Sequence, residues 1–182
     1  MALYLEDLRK AARPRGNGLD GLSVFLQQPA ISTLGWPAEV VRQWLWEHGE
    51  NGPFLRDYAG VDLSRVCWTL ETVPAADLET MPTGPSDGDC IEEYARNHRH
   101  YLALRQQYQP EIVHVWENEG TWHVPPILIS RLLLQPPSDG LQVVEGRTRV
   151  GLLSGRRRDR LLVAEHHRAW VGRPRPQVAL EG

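Results

Sequence analysis

The sequence predicts an α+β fold in which helices pack on a small mixed sheet. Three observations favour this class. Alternating apolar residues predict a strand at 66–73, and a short apolar run predicts a second strand at 127–130. A third apolar run, at 141–144, leads through a glycine into a helical pattern, which is typical of a strand that ends at a turn before a helix.

Length and composition limit the domain organisation. With 182 residues, of which 41% are hydrophobic, the chain can bury one core and is too short for two full-sized domains. Helical patterns fill the first part of the sequence, so we expect a helical accessory region at 1–63. We place the domain that carries the sheet at 64–172 and a disordered tail at 173–182.

The charge distribution along the sequence indicates where the protein could contact a polyanion such as nucleic acid. A formal net charge of −3 excludes a generally basic nucleic-acid-binding surface. Positive charge is nevertheless concentrated at 147–175, where nine arginines stand against two acidic residues. Contact with a polyanion is therefore expected from this segment.

The remaining composition points to a cytoplasmic protein. Cys67 and Cys90 form no disulfide framework, which favours a reducing compartment, and we expect neither a signal peptide nor membrane insertion. Lys10 is the only lysine, so the lysine-containing phosphate loop of many nucleotide-binding proteins is excluded.

The accessory region is expected to contain three helices, at 2–12, at 37–48 and at 53–58. The second begins at a proline and ends before Gly49, as helices commonly do. Trp36, Trp44 and Trp46 lie around it. They predict either core packing or a platform for stacking bases, and core packing is favoured.

The second part of the chain is expected to alternate between strands and helices. After the strand at 66–73 we predict a turn into a short helix, a flexible loop at 81–89, and one helix at 90–108 capped by Asp89. Two strands at 112–116 and 122–124 are predicted to form a hairpin. A last strand is expected at 161–171.

The segment 141–153, LQVVEGRTRVGLL, is the strongest candidate for a functional site. Gly146 would allow close approach of a ligand, and Thr148 could cap or donate. Arg147 and Arg149 would supply forked donors to phosphate beside the free N–H groups of the new helix. The alternative is an ordinary strand-to-helix turn with two solvated arginines.

The order of these elements resembles that of the ParB/sulfiredoxin superfamily. Its members carry an apolar strand into a G-x-x-R motif and a helix, and Gly146 and Arg149 fall on that glycine and arginine. The resemblance covers roughly 64–172. It implies that a nucleotide, ATP or another, binds through its phosphates at Gly146, Arg147, Thr148 and Arg149.

The sequence differs from two groups of the superfamily, and these differences disfavour the activities of those groups. Sulfiredoxins carry a reactive cysteine where this chain has Arg147 and Thr148, so sulfinic acid reduction is disfavoured. Chromosome-segregation ParB proteins continue into further domains after this fold. The chain resembles instead the stand-alone plasmid fertility-inhibition proteins of the Osa type, which are associated with ATP hydrolysis and DNA cleavage.

Two classes of function remain open. The first is an enzyme that cleaves a phosphoester in a nucleotide or in DNA, with Glu145, Arg147 and Arg149 as catalytic residues and Glu145 either activating water or holding Mg²⁺. The second is a non-catalytic nucleotide- or nucleic-acid-binding regulator.

Sequence-independent DNA contacts are predicted at Arg156, Arg157, Arg158 and Arg160. The resemblance also implies components of a conjugative type IV secretion system as partners.

Overall fold

The computed structural model describes residues 2–9 and 19–176, and these form two compact units. Unit 1 combines Met1–Thr69, Ile129–Gly140 and Val171–Gly182, and unit 2 combines Leu70–Leu128 with Leu141–Trp170. The mixed α+β class predicted from the sequence is confirmed. The boundaries predicted at 63/64 and 172/173 stay predictions.

Short helices make up most of unit 1. They are α1 (Leu5–Arg9), α2 (Leu19–Gln27), α3 (Pro29–Ser32), α4 (Ala38–Val40), which continues as a π-helix (Val41–Trp46), α5 (Gly52–Asp57), and two 3₁₀ turns (Leu63–Arg65 and Arg131–Leu133). The helices predicted at 37–48 and 53–58 are confirmed. The helix predicted at 2–12 is present at Leu5–Arg9, and its last residues lie outside the described part of the chain.

Trp44 is the centre of the aromatic core of unit 1. It is fully buried, and its ring centroid lies 5.5 Å from that of Trp36, 5.5 Å from that of Tyr58 and 5.7 Å from that of Trp68. Edge-to-face and tilted contacts of this kind stabilise a core. The prediction that the tryptophans pack in the core is therefore confirmed for Trp36 and Trp44.

Four strands form the mixed sheet. They are β1 (Val66–Pro74), β2 (Ile127–Ser130), β3 (Leu141–Glu145) and β4 (His166–Pro174), in the order β1-β4-β2-β3. Every residue of β2 is buried. The predicted last strand begins later than expected, at His166, and continues to Pro174, so the first two residues of the predicted tail are strand. Residues 177–182 of that tail lie outside the described residues.

Helices dominate unit 2. They are α6 (Ala75–Thr80), α7 (Cys90–Arg96), α8 (His98–Tyr108), α9 (Pro110–Asn118) and α10 (Arg147–Arg158), with a 3₁₀ turn at Pro85–Asp87. The single helix predicted at 90–108 is wrong, because Asn97 interrupts it with a φ of −109° and a ψ of 22°. Its side-chain Nδ2 donates to the Glu93 carbonyl at 3.1 Å, and asparagine commonly competes with the helix in this way.

The hairpin predicted at 112–124 is also wrong, since α9 occupies its first half. Pro110 lies at the first helical turn, where the missing N–H costs nothing. Val115 and Trp116 are buried, whereas His114 and Glu117 are exposed, which is a helical period rather than an alternation. The residues interpreted as a hairpin turn instead end this helix.

The segment at 81–89, which we expected to be a flexible loop, is hydrogen-bonded to β3. The Val143 N–H donates to the Pro82 carbonyl at 2.9 Å, and Thr83 forms a parallel bridge with Val143. This pairing leads the chain into the turn that carries Asp87. Asp87 thereby reaches the candidate site described below.

Candidate phosphate site at the junction of β3 and α10

The strand-turn-helix arrangement predicted at 141–153 is confirmed. β3 ends at Glu145, Gly146 forms the turn, and α10 begins at Arg147. Val143 and Val144 are completely buried, which anchors the strand in the core. The predicted site residues therefore lie at the start of a twelve-residue helix.

Gly146 adopts a backbone conformation that favours glycine. Its φ of 101° and ψ of 19° are left-handed, and a Cβ at this position would lie 2.4 Å from the Pro126 Cβ and 3.0 Å from the Arg149 Nε. Because glycine has no side chain, this N-cap leaves the first-turn N–H groups of α10 without a side-chain cap. Such N–H groups, together with the helix dipole, favour an anion.

Arg149 is held by a carboxylate and a backbone carbonyl. Its guanidinium Nη2 donates to the Glu145 carboxylate at the end of β3, and its Nη1 donates to the Val124 carbonyl at 2.8 Å. The side chains of Arg149 and Glu145 are 20% and 19% exposed, respectively. Both groups are therefore fixed in position yet within reach of solvent.

Arg147 is paired with a residue that sequence reasoning missed. Its Nη1 donates to the carboxylate of Asp87, whose side chain is only 8% exposed. Burial acts against the charge of Arg147, but Asp87 and, more weakly, Glu145 more than offset it, so that the pKa of Arg147 is raised. No local pattern could have identified Asp87, because 60 residues separate it from Arg147.

Within unit 2, the junction thus brings two arginines and two carboxylates together. Glu145 acts electrostatically on Arg147 and bonds Arg149, so it couples the two arginines. Thr148 lies between them in the first turn of α10 and is half-buried. A phosphate bound at the helix start would replace the carboxylates as the acceptor of the guanidinium hydrogen bonds.

Glu145 and Asp87 are the groups that would hold Mg²⁺ at this site. Mg²⁺ prefers carboxylate oxygens and commonly takes one or two of them together with phosphate oxygens of a substrate. The structure supplies two carboxylates beside the first turn of α10, where the motif alone supplied one. Each is bonded to an arginine, so either would become a metal ligand only after a phosphate takes the guanidinium donors.

The structure does not gather the four predicted DNA-binding arginines on one surface. Arg156 is 2% exposed, its Nη1 donates to the Glu117 carboxylate at 2.6 Å, and its guanidinium lies 5.8 Å from the centre of the Trp116 ring. Its Nε also donates to the Leu162 carbonyl at 3.2 Å. The assignment of Arg156 to DNA is therefore corrected, because this side chain is committed to the core.

The other three arginines of the run are exposed and differ in their partners. Arg157 pairs with Glu79 at 3.0 Å, and Arg158 makes two bonds to Glu92 at 2.6 and 2.8 Å. Arg160 follows the helix with a φ of 56°. These side chains lie at the opposite end of α10 from the β3–α10 junction.

Comparison with known proteins identifies no relative: no family model, no curated protein and no solved structure matches this chain. Across residues 2–9 and 19–176, no helix combines the length and the apolar character needed to cross a bilayer.

Proposed function

We propose that the β3–α10 junction binds the phosphates of ATP or another nucleotide and that the protein cleaves a phosphoester, as an ATPase, a DNase or both. The observation that carries this proposal is the left-handed Gly146 at the start of α10, with Arg147 and Arg149 held in the first turn. The geometry joins a helix dipole, uncapped N–H groups and two forked donors.

In the proposed chemistry, the substrate phosphate displaces the carboxylates from the two arginines. When the phosphate takes the guanidinium donors of Arg147 and Arg149, the Glu145 carboxylate is released to accept a proton from water. The arginines then stabilise the charge that develops on the phosphoryl oxygens. In the alternative role, Glu145 would hold Mg²⁺ together with Asp87 instead of accepting the proton, and the ion would polarise the phosphoryl group.

The biological role that we propose rests on the resemblance of the sequence to the Osa-type proteins. We propose that the protein acts in plasmid fertility inhibition, by blocking the transfer of DNA through a conjugation-type secretion system whose components are its partners. Arg157, Arg158 and Arg160 would contact the DNA through its phosphates, without sequence preference.

A second candidate is a non-catalytic nucleotide- or nucleic-acid-binding regulator. The ion pair between Glu145 and Arg149 favours it, because this pair engages the one carboxylate of the motif as a structural partner. In this case the site binds phosphate and nothing turns over.

The test is a measurement of ATP binding, phosphate release and DNA degradation, with and without Mg²⁺, on purified protein. Arg147→Ala and Arg149→Ala should each weaken ATP binding by at least about tenfold, because a charge-assisted bond contributes about 1.5 to 3 kcal/mol. Arg105→Ala is the matched control, since Arg105 is exposed on α8 and bonds Gln109, the residue that follows this helix. Unchanged ATP affinity in both junction variants would contradict the site.

Glu145→Gln separates the two candidates within the same experiment. If Glu145 is the general base, the variant should bind ATP and lose about a hundredfold or more of its turnover. Wild-type turnover in this variant would remove Glu145 from the mechanism. A wild-type protein that binds ATP and neither releases phosphate nor degrades DNA would establish the regulator.

A further inference from the structure

A short segment of unit 2, residues 84–88, lies against the β3–α10 junction, and we call it the strap. The residues before it are fixed to β3, because the Val143 N–H donates to the Pro82 carbonyl at 2.9 Å and Thr83 forms a parallel bridge with Val143. Cys90 begins α7 shortly after the strap ends. The strap is therefore attached to a strand on one side and to a helix on the other.

The strap presents a carboxylate to the junction. Asp87 ends the 3₁₀ turn at Pro85–Asp87, in which its N–H donates to the Gly84 carbonyl at 3.0 Å. Its carboxylate accepts from the Arg147 Nη1, whereas Pro85 and Ser86 of the same turn are exposed. The strap thus places an anion on Arg147 and leaves its other turn residues in solvent.

The Asp87 carboxylate occupies a donor that the proposed function assigns to phosphate. Carboxylate and phosphate oxygens are alternative acceptors for the same guanidinium group, and each forms a charge-assisted bond with it. Arg147 also lies in the first turn of α10, where the N–H groups and the helix dipole favour an anion. Asp87 is therefore a competitor of phosphate that the chain itself supplies.

Gly88 provides a point at which the strap can turn. Its φ of 54° is left-handed, and a Cβ at this position would have no atom of the described residues within 4 Å. Alanine therefore fits the space but is strained in this backbone conformation. The position of the strap over Arg147 thus depends on a glycine directly after the residue that forms the ion pair.

We propose that the strap is an autoinhibitory lid, which Asp87 holds closed over Arg147 and which opens when a phosphate group displaces Asp87. The inference deepens the proposed function and rests on it, since it states how the same junction is regulated. The apparent affinity for phosphate is reduced by the fraction of the protein in which the strap is closed. A change that favours the open strap should therefore tighten phosphate binding.

The first test is a calorimetric titration of the full chain with ATP in the absence of Mg²⁺, so that no metal contributes through Asp87. Asp87→Asn and Gly88→Ala should each tighten ATP binding by about tenfold, the first because it removes the competing charge and the second because it strains the closed strap.

Two control variants should keep the wild-type affinity for ATP. Asp89→Asn controls for the loss of a negative charge, because Asp89 is exposed and makes no side-chain cap for α7. Gly35→Ala controls for backbone strain, because Gly35 has a φ of 63° and belongs to unit 1.

The second test detects movement of the strap without a ligand. Cys90 is half-buried, and burial raises the pKa of its thiol, as does the charge of Asp87. In a Cys67→Ser protein, Cys90 is the remaining cysteine, and its alkylation by uncharged iodoacetamide can be followed. Gly88→Ala should accelerate this alkylation severalfold, because opening the strap uncovers the thiol and moves Asp87 away from it. Gly35→Ala should react at the wild-type rate.

The outcomes separate this inference from the proposed function. Tighter ATP binding in both strap variants, with faster alkylation in Gly88→Ala, supports the lid. Tighter binding in Asp87→Asn alone overturns the lid, because the charge then acts without movement of the strap. Wild-type affinity in both strap variants, or unchanged alkylation in Gly88→Ala, also overturns it and leaves the proposed function intact. Absence of ATP binding in the wild type and in both strap variants would contradict the proposed function as well.

Discussion

At the scale of single residues, two buried polar side chains show how this core accommodates charge and hydrogen bonding. Arg156 is committed to Glu117 and to the face of Trp116. His167 is 1% exposed, and its Nδ1 lies 2.8 Å from the Thr121 hydroxyl. Neighbouring positions in the sequence, Arg157 and His166, are exposed, so burial here changes from one residue to the next.

His167 should make the stability of the protein depend on pH. Burial lowers its pKa from 6.5 to about 4, so between these values the unfolded chain binds a proton that the folded protein does not. Stability should therefore fall as the pH is lowered from about 6.5 to about 4, by about 3 kcal/mol at most. Urea unfolding measured across this pH range checks the prediction.

The matched pair for this measurement is His167→Gln and His166→Gln. The first variant should flatten the pH dependence, and the second should keep it, because His166 is exposed on the opposite face of β4. An equal pH slope in wild type and His167→Gln would show that other groups cause it.

At the scale of secondary structure elements, α10 packs closely on α7 and on the start of α8. A Cβ at Gly155 would lie 2.2 Å from the Ala95 carbonyl oxygen and 2.6 Å from the His98 ring. The two helices therefore approach as closely as they do because this position lacks a side chain. The same contact places Asp159 beside His98 and Arg99, which both bond its carboxylate.

Gly155→Ala should destabilise the protein strongly. The added methyl meets backbone, which cannot rotate away, and overpacking of a core costs about 1 to 3 kcal/mol and sometimes more. We expect a loss at the upper end of that range, measured by denaturant unfolding. Gly52→Ala is the control: it should change stability by less than about 1 kcal/mol, because the nearest atom to its Cβ lies 3.8 Å away. Equal stability of the two variants would contradict the close packing.

At the scale of the whole molecule, the chain contributes three separate segments to unit 1. Trp68, at the start of β1, lies 5.2 Å from Trp36 and 5.7 Å from Trp44 between ring centroids. Trp68 lies after the predicted boundary at 63/64, and the two rings that it contacts lie before it. The boundary stays a prediction.

A fragment that begins at residue 64 should fold less stably than the full chain. It removes the rings that cover Trp68 and leaves an exposed apolar surface, which destabilises a domain and promotes association. Thermal unfolding followed by circular dichroism should give a lower midpoint, with tryptophan emission shifted towards that of solvated rings. A fragment with the midpoint of the full chain would support a domain boundary at 63/64.

The sequence by itself determined the α+β class, the strand-turn-helix at 141–153 and the helix that follows Pro37. Each depends on local patterns: apolar periodicity, a glycine with a left-handed conformation, and a proline in a first helical turn. Local patterns failed at 112–116, because a short apolar run fits a strand or a helix and only its packing decides between them.

Only the tertiary structure decided which charges meet. Asp87 bonds Arg147, which is 60 residues away in the chain. Glu117 bonds the buried Arg156, which is 39 residues away. Arg99 and Asp159, which bond each other, are likewise 60 residues apart in the chain. Electrostatic and hydrogen-bonding energies depend on distance in space and on burial, and neither is encoded by spacing along the chain.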